Sequence, residues 1–253
     1  MAAPDSEVER DKIPAGAAQF VNTHWSIVLS AGDKRNPTRA LQSLEKLCRV
    51  YWLPLYTYIR RQGESPPDAQ DLTQEFFARL LEKDFLGSAD QTKGRFRSFL
   101  LASLKHFLSN QRDRERAQKR GGGQAPLSLD FLEAETSIGF QLADEQTPEK
   151  AFAKRWALTL LEQALARLRQ EYSERGRQEI FEQLKPTLTE GRGGVAYAEL
   201  AARLGMSEAS VKMAVHRLRQ RYREVLRAEI AETVAHESEV EDELREVFRA
   251  LSH

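Results

Sequence analysis

Lys212, Arg217, Arg219 and Arg221 fall within ten positions of one another in the stretch YAELAARLGMSEASVKMAVHRLRQRY, Tyr197 to Tyr222. Cations at this density suit an anionic partner. Lys and Arg reach phosphates or guanine edges, and Met213 can touch a thymine methyl. The candidate DNA contacts here are Ser210, Lys212, Met213, His216, Arg217, Arg219 and Arg221. Their positioning requires an apolar back, which Val211 and Val215 provide one turn apart. It also requires a defined entry. A short helix over Ala198 to Leu204 ends at Gly205, a residue that tolerates the left-handed turn. Ser207 caps the next helix, with Glu208 in its first turn. Ala201 and Gly205 are small, which would let the two helices cross closely. This is the helix-turn-helix pattern. A plain helical hairpin with a solvated basic face is the alternative.

A second cationic stretch, GRFRSFLLASLKHFLSNQRDRERAQKR, runs from Gly94 to Arg120. Aromatic rings can stack on unpaired bases while Arg and Lys follow the backbone. Phe96, Phe99 and Phe107 at helical spacing nevertheless read as core. Arg95, Arg97, Lys105, His106, Asn110, Arg112 and Arg114 are the candidate contacts. Ahead of this stretch, Asp68, Asp71 and Glu75 fall on an acidic face of a helix whose other side is apolar.

The remaining chemistry is thin. His24, His106, His216, His236 and His253 show no metal-ligand spacing, and no metal or cofactor is expected. The glycines at Gly191, Gly193 and Gly194 are too few for a phosphate loop. Cys48, the one cysteine, lies on an apolar helical face and reads as core. No nucleophile–base pair stands out, so an enzyme is not expected. There is neither a signal peptide nor an apolar run near the ~20 residues of a membrane helix, and the expected location is the cytoplasm.

The chain has 253 residues, with 38 basic and 38 acidic side chains. The zero net charge hides blocks. Acids prevail from Glu64 to Asp90, bases from Lys93 to Arg120, acids from Asp130 to Glu149, bases from Val195 to Arg227, and acids again in the tail. Such blocks suggest separate contact surfaces of opposite sign. Periodicity and composition predict an all-α protein. Residues 1–18 read as disordered, and a short helix is expected over Phe20 to Ser30. The next helix begins at Pro37, with Leu41, Leu44, Leu47, Cys48, Tyr51, Trp52, Leu55 and Ile59 on its stripe. Pro54 should kink or split it, and Gly63 ends it. Ser65-Pro66-Pro67 opens a third helix with Leu72, Phe76, Leu80 and either Phe77 or Leu81 inward. A fourth starts around Thr92 to Arg95 and runs to about Arg116. Residues 121–146 read as an interdomain linker, with a short ordered piece at Leu127 to Leu132. Thr147-Pro148 caps a helix with Phe152, Trp156, Leu160, Leu161, Leu165 and Leu168 inward. A helix over Gln178 to Leu184 follows. The tail forms an amphipathic helix with Val240, Leu244, Val247, Phe248 and Leu251 on one side.

Three ordered stretches, DAQDLTQEFFARLLEK, GRFRSFLLASLKHFLSNQRDR and YAELAARLGMSEASVKMAVHRLRQRYRE, resemble the extracytoplasmic-function (ECF) type of bacterial sigma factor. The resemblance covers about Ala40 to Ala228. It implies two small helical domains joined by a flexible linker, both bound to core RNA polymerase. Residues 19–120 would dock on the polymerase through Asp68, Asp71, Gln74 and Glu75 and recognise the −10 promoter element, including its melted strand. Residues 147–230 would carry the helix-turn-helix that reads the −35 element in duplex DNA. Residues 231–253 are an acidic amphipathic extension. Gln70 stands where the family usually has an acid, and His106 and Asn110 replace a typical asparagine and aspartate. Regulation by an anti-sigma factor or a kinase is left open, with Thr73 in the docking helix. The rival reading is a stand-alone helix-turn-helix regulator that binds an operator as a dimer.

Overall fold

The computed structural model describes residues 37–80, 95–117, 146–189, 196–234 and 236–252. The expectations for residues 1–18, Phe20 to Ser30, the glycines of 191–194 and nearly all of the 121–146 linker lie outside the described residues. The protein is all-α. Among the described residues the elements are α1 (Pro37–Arg61), α2 (Pro66–Leu80), α3 (Phe96–Ala117), α4 (Pro148–Glu174), α5 (Gln178–Leu184), α6 (Pro186–Thr189), α7 (Tyr197–Leu204), α8 (Glu208–Thr233) and α9 (Val240–Leu251). A 3-10 turn, Glu237–Glu239, leads into α9.

Helix α1 does not split at Pro54. Proline removes one N–H and crowds the preceding turn, a local cost of ~3 kcal/mol. Packing outweighs it, because Tyr51, Leu55, Tyr56 and Ile59 around the proline are fully buried. Burial extends well beyond the expected stripe, to Val50 and Tyr58. The cause is that α1 is covered by both α2 and α4, and a helix apolar nearly all round belongs inside. Gly63 ends the turn after α1 at φ 96°. On α2 the inward residues are Ala69, Thr73, Phe76, Phe77 and Leu80, with Leu72 half-buried. Phe77 is thus an inward residue, while Leu81 lies outside the described residues.

Thr147 caps α4 by accepting from Lys150 N at 3.3 Å. Helix α4 then serves two apolar cores. Phe152, Trp156, Ala157, Leu160 and Ala164 join α1, α2 and α3 in the larger one. Leu168 joins Phe181, Leu184, Leu200, Ala201, Val211, Val215 and Leu218 in the smaller. Helix α8 is shared in the same way: Val225, Leu226 and Ile230 lie in the larger core. Tyr222 touches both and donates to Leu161 O at 3.2 Å. Burial pushes its hydroxyl pKa up to about 12. The tail helix α9 packs chiefly on α4 and then on α8, placing Val240 and Val247 in the larger core while Phe248 stays exposed.

Candidate nucleic-acid interface

The α7–α8 unit has the geometry its sequence predicts, with one change of reason. Gly205 adopts φ 62°, ψ 30°, and Met206 N returns to Ala201 O at 3.0 Å. A Cβ at Gly205 would meet nothing within 4 Å. The glycine is needed for its left-handed backbone and not for a close helix crossing. Ser207 Oγ accepts from Ser210 N at 3.2 Å and lies 2.9 Å from Ser210 Oγ. Val211, Val215 and Leu218 are buried, so one face of α8 is fixed against α7 and α5. Lys212, Met213, His216 and Arg217 project outward and are exposed. Met213 shows 52% of its surface, unusual for a large apolar side chain and suited to a contact surface.

Arg219 and Arg221 turn the other way. Arg219 donates twice to Thr187 O, at 3.2 Å from Nε and 2.7 Å from Nη2. Arg221 forms a two-point fork on Glu171, 2.8 Å and 2.7 Å, and reaches Glu224 at 2.8 Å. The fork holds the Glu171 carboxyl below its ordinary pKa. Both arginines tie α8 to its neighbours α6 and α4.

On α3 the buried side is Phe96, Leu100, Leu104, Phe107 and Leu108, with Phe99 half-buried against Phe96. Lys105, His106, Ser109, Asn110 and Arg112 form the exposed side. Lys105 Nζ lies 2.7 Å from Glu149 at the start of α4. That contact raises the Lys105 pKa and lowers that of Glu149. Asn110 Nδ2 sits 3.3 Å from His106 Nδ1. Arg112 is 3.5 Å from Glu64. Arg114 lies on α3, its side chain outside the described residues. Arg95 and Arg97 are separate from this row. They converge on Glu243 of α9, at 2.9 Å and 2.7 Å, and the Arg97 guanidinium lies 4.6 Å over the Trp156 ring.

The acidic face of α2 exposes Asp68 and Asp71, with Gln74 and Glu75 half-buried. Ser65 donates to Asp68 at 2.5 Å. Glu75 is engaged on both oxygens, by Arg79 at 2.8 Å and Gln111 at 2.6 Å. Asp71 makes no ion pair among the described residues. Thr73, in the same helix, is fully buried and donates to Ala69 O, so its hydroxyl is shielded from a modifying enzyme in this fold.

Sequence reasoning missed Glu243. It stands three residues after Val240 and four before Val247, so helical spacing puts this lone acid on the apolar face. That placement was the available signal. Among the described residues no acidic, His or Cys cluster could hold a metal ion, and no helix is long and apolar enough to cross a membrane.

The family model described as ECF sigma factor matches residues 46–228. No similar curated protein and no similar solved structure was found.

Proposed function

Because the chain belongs to the ECF sigma factor family, which serves promoter-specific transcription, we propose that it binds core RNA polymerase and reads two promoter elements with two cationic surfaces. Lys212, Met213, His216 and Arg217 take the −35 element in the major groove. The observation that carries this is their joint exposure on α8 directly opposite the buried Val211 and Val215. A helix held by its apolar back presents its front at a fixed height, as groove reading requires. Ser210 sits in the first turn of α8, its N–H held by the Ser207 cap, and its hydroxyl is offered to a phosphate. Arg219 and Arg221 support the surface by anchoring α8 in place.

The −10 element falls to α3, whose exposed Lys105, His106, Asn110 and Arg112, with Arg95, Arg97 and Arg114, follow a single strand. Asp68, Asp71 and Gln74, with Glu75 behind them, dock on a basic surface of the polymerase. Acidic residues on an exposed helix face find such a surface through long-range attraction. Residues 19–120 and 147–230 are the two functional units, working in the cytoplasm.

Neither DNA contact needs to be strong alone, since tethering raises the effective concentration at the second. Mobility-shift assays with promoter fragments, with and without core polymerase, test this directly. Binding that requires the polymerase supports the proposal. Tight binding by the free chain as a dimer would favour an operator-binding regulator instead.

A further inference from the structure

The C-terminal helix reaches the start of α3 through an acid in its buried face. Glu243 is fully buried. Its Oε2 lies 2.9 Å from Arg95 Nη1 and accepts from Arg97 Nη2 at 3.2 Å. Its Oε1 is 2.7 Å from Arg97 Nε, an ion pair without the alignment of a hydrogen bond. Glu246, one turn on, is 3.9 Å from Arg97. Beneath, Arg97 rests on Trp156. Tyr51 faces the same carboxylate: burial first, and the charge of Glu243 second, raise its hydroxyl above the ordinary tyrosine range.

An acid in this position is costly unless it is paired, and here both carboxylate oxygens are taken by guanidinium groups. Two neighbouring guanidiniums, that of Arg97 resting on an indole, also form a general receptor for a nucleic-acid backbone. The fork that takes a carboxylate takes a phosphate equally well. With α9 in place this receptor is closed: the side chains of Arg95 and Arg97 keep 28% and 14% of their exposure. Helix α9 is held there by Val240 and Val247 and, next to them, by the Arg227–Glu241 pair on α8.

The geometry points to α9 as a built-in competitor: Glu243 occupies the place of a DNA phosphate and keeps Arg95 and Arg97 from the strand until the helix is displaced. This rests on the reading of α3 as the −10 surface. It gives the acidic extension, which lies beyond the family match, a defined task. The free chain holds the Arg95–Arg97 end of the α3 surface closed, while Lys105, His106, Asn110 and Arg112 and the α8 surface remain exposed.

The test uses the full chain and a labelled single-stranded DNA oligonucleotide of mixed sequence, about 20 nucleotides long, followed by fluorescence anisotropy at low salt. Glu243→Gln should bind roughly tenfold more tightly than wild type. Adding Arg95→Ala and Arg97→Ala to Glu243→Gln should abolish that gain. If Glu243→Gln binds like wild type and the arginine changes still weaken it, the competitor role is overturned while the −10 reading stands. If the arginine changes alter nothing in either background, the −10 reading of these arginines falls and the competitor falls with it. A second measurement needs no substitution. Amide hydrogen exchange of residues 240–251 in the wild-type chain should accelerate at saturating oligonucleotide. Unchanged protection at saturation overturns the proposal.

Discussion

The outward row of α8 and the arginine pair at the start of α3 are both cationic, but only one is free. Lys212 and Arg217 make no ion pair among the described residues, and their helix is fixed by a dry apolar back. Arg95 and Arg97 instead converge on a buried carboxylate supplied by the tail. The comparison teaches that a cation in a basic block is an open contact only where the fold has not already given it a partner. Within α8 the same division separates Arg217 from Arg219 and Arg221, which differ little in sequence terms and wholly in contacts.

The largest effect is expected where the closed region rests on the core. Trp156 is fully buried beneath Arg97. Trp156→Ala should cost about 3–5 kcal/mol by denaturant unfolding. A loss under ~1 kcal/mol would mean that the shared packing of α1, α4 and α9 is not as described. The open region should behave oppositely. Arg217→Ala should weaken binding of a −35 duplex by about 1–3 kcal/mol and leave the melting temperature unchanged. A stability loss without a binding loss would place Arg217 with the anchors.

Gly205 sharpens the reason for the α7–α8 turn. Gly205→Ala should cost ~1–2 kcal/mol through its left-handed backbone alone, and Gly205→Asn less, since asparagine tolerates that region. Equal costs would point to packing instead. The smallest effect is at Arg221, whose side chain is 42% exposed. Arg221→Ala should cost no more than ~1 kcal/mol and leave base discrimination intact.

That anchor carries a pH signature. The Glu171 carboxyl has its pKa depressed in the folded chain, chiefly by the Arg221 hydrogen bond. Its contribution is therefore present above the unfolded glutamate pKa and is lost as pH falls through the folded value. The stability gap between wild type and Arg221→Ala should close on acidification below the ordinary glutamate range. A gap that widens there would contradict the pairing.

Much of this was legible in the sequence. The caps at Thr147 and Ser207, the stop at Gly205, the stripe of α4 and the outward row of α8 each follow from local rules with a short reach. What was not legible is long-range. Phe152 and Trp156 announce a buried face but not that α1 covers it. Thr73 reads as an ordinary helical residue, and only the packing of α2 shows its hydroxyl to be enclosed. Glu243 breaks the apolar pattern of the tail, a local oddity whose meaning depends on arginines 146 to 148 residues earlier in the chain. Pattern gave Gly205 two roles, a left-handed stop and a small contact, and only the first holds, because one letter carries both.

The most direct test is transcription in vitro with purified core RNA polymerase, this chain and a pool of promoter fragments. The expected result is initiation from a subset of fragments only when the chain is added, with Lys212→Ala and Arg217→Ala together changing or abolishing that subset. Transcripts that do not depend on the chain, or a selected subset indifferent to those two residues, would contradict the reading of α8 as the promoter-specifying surface.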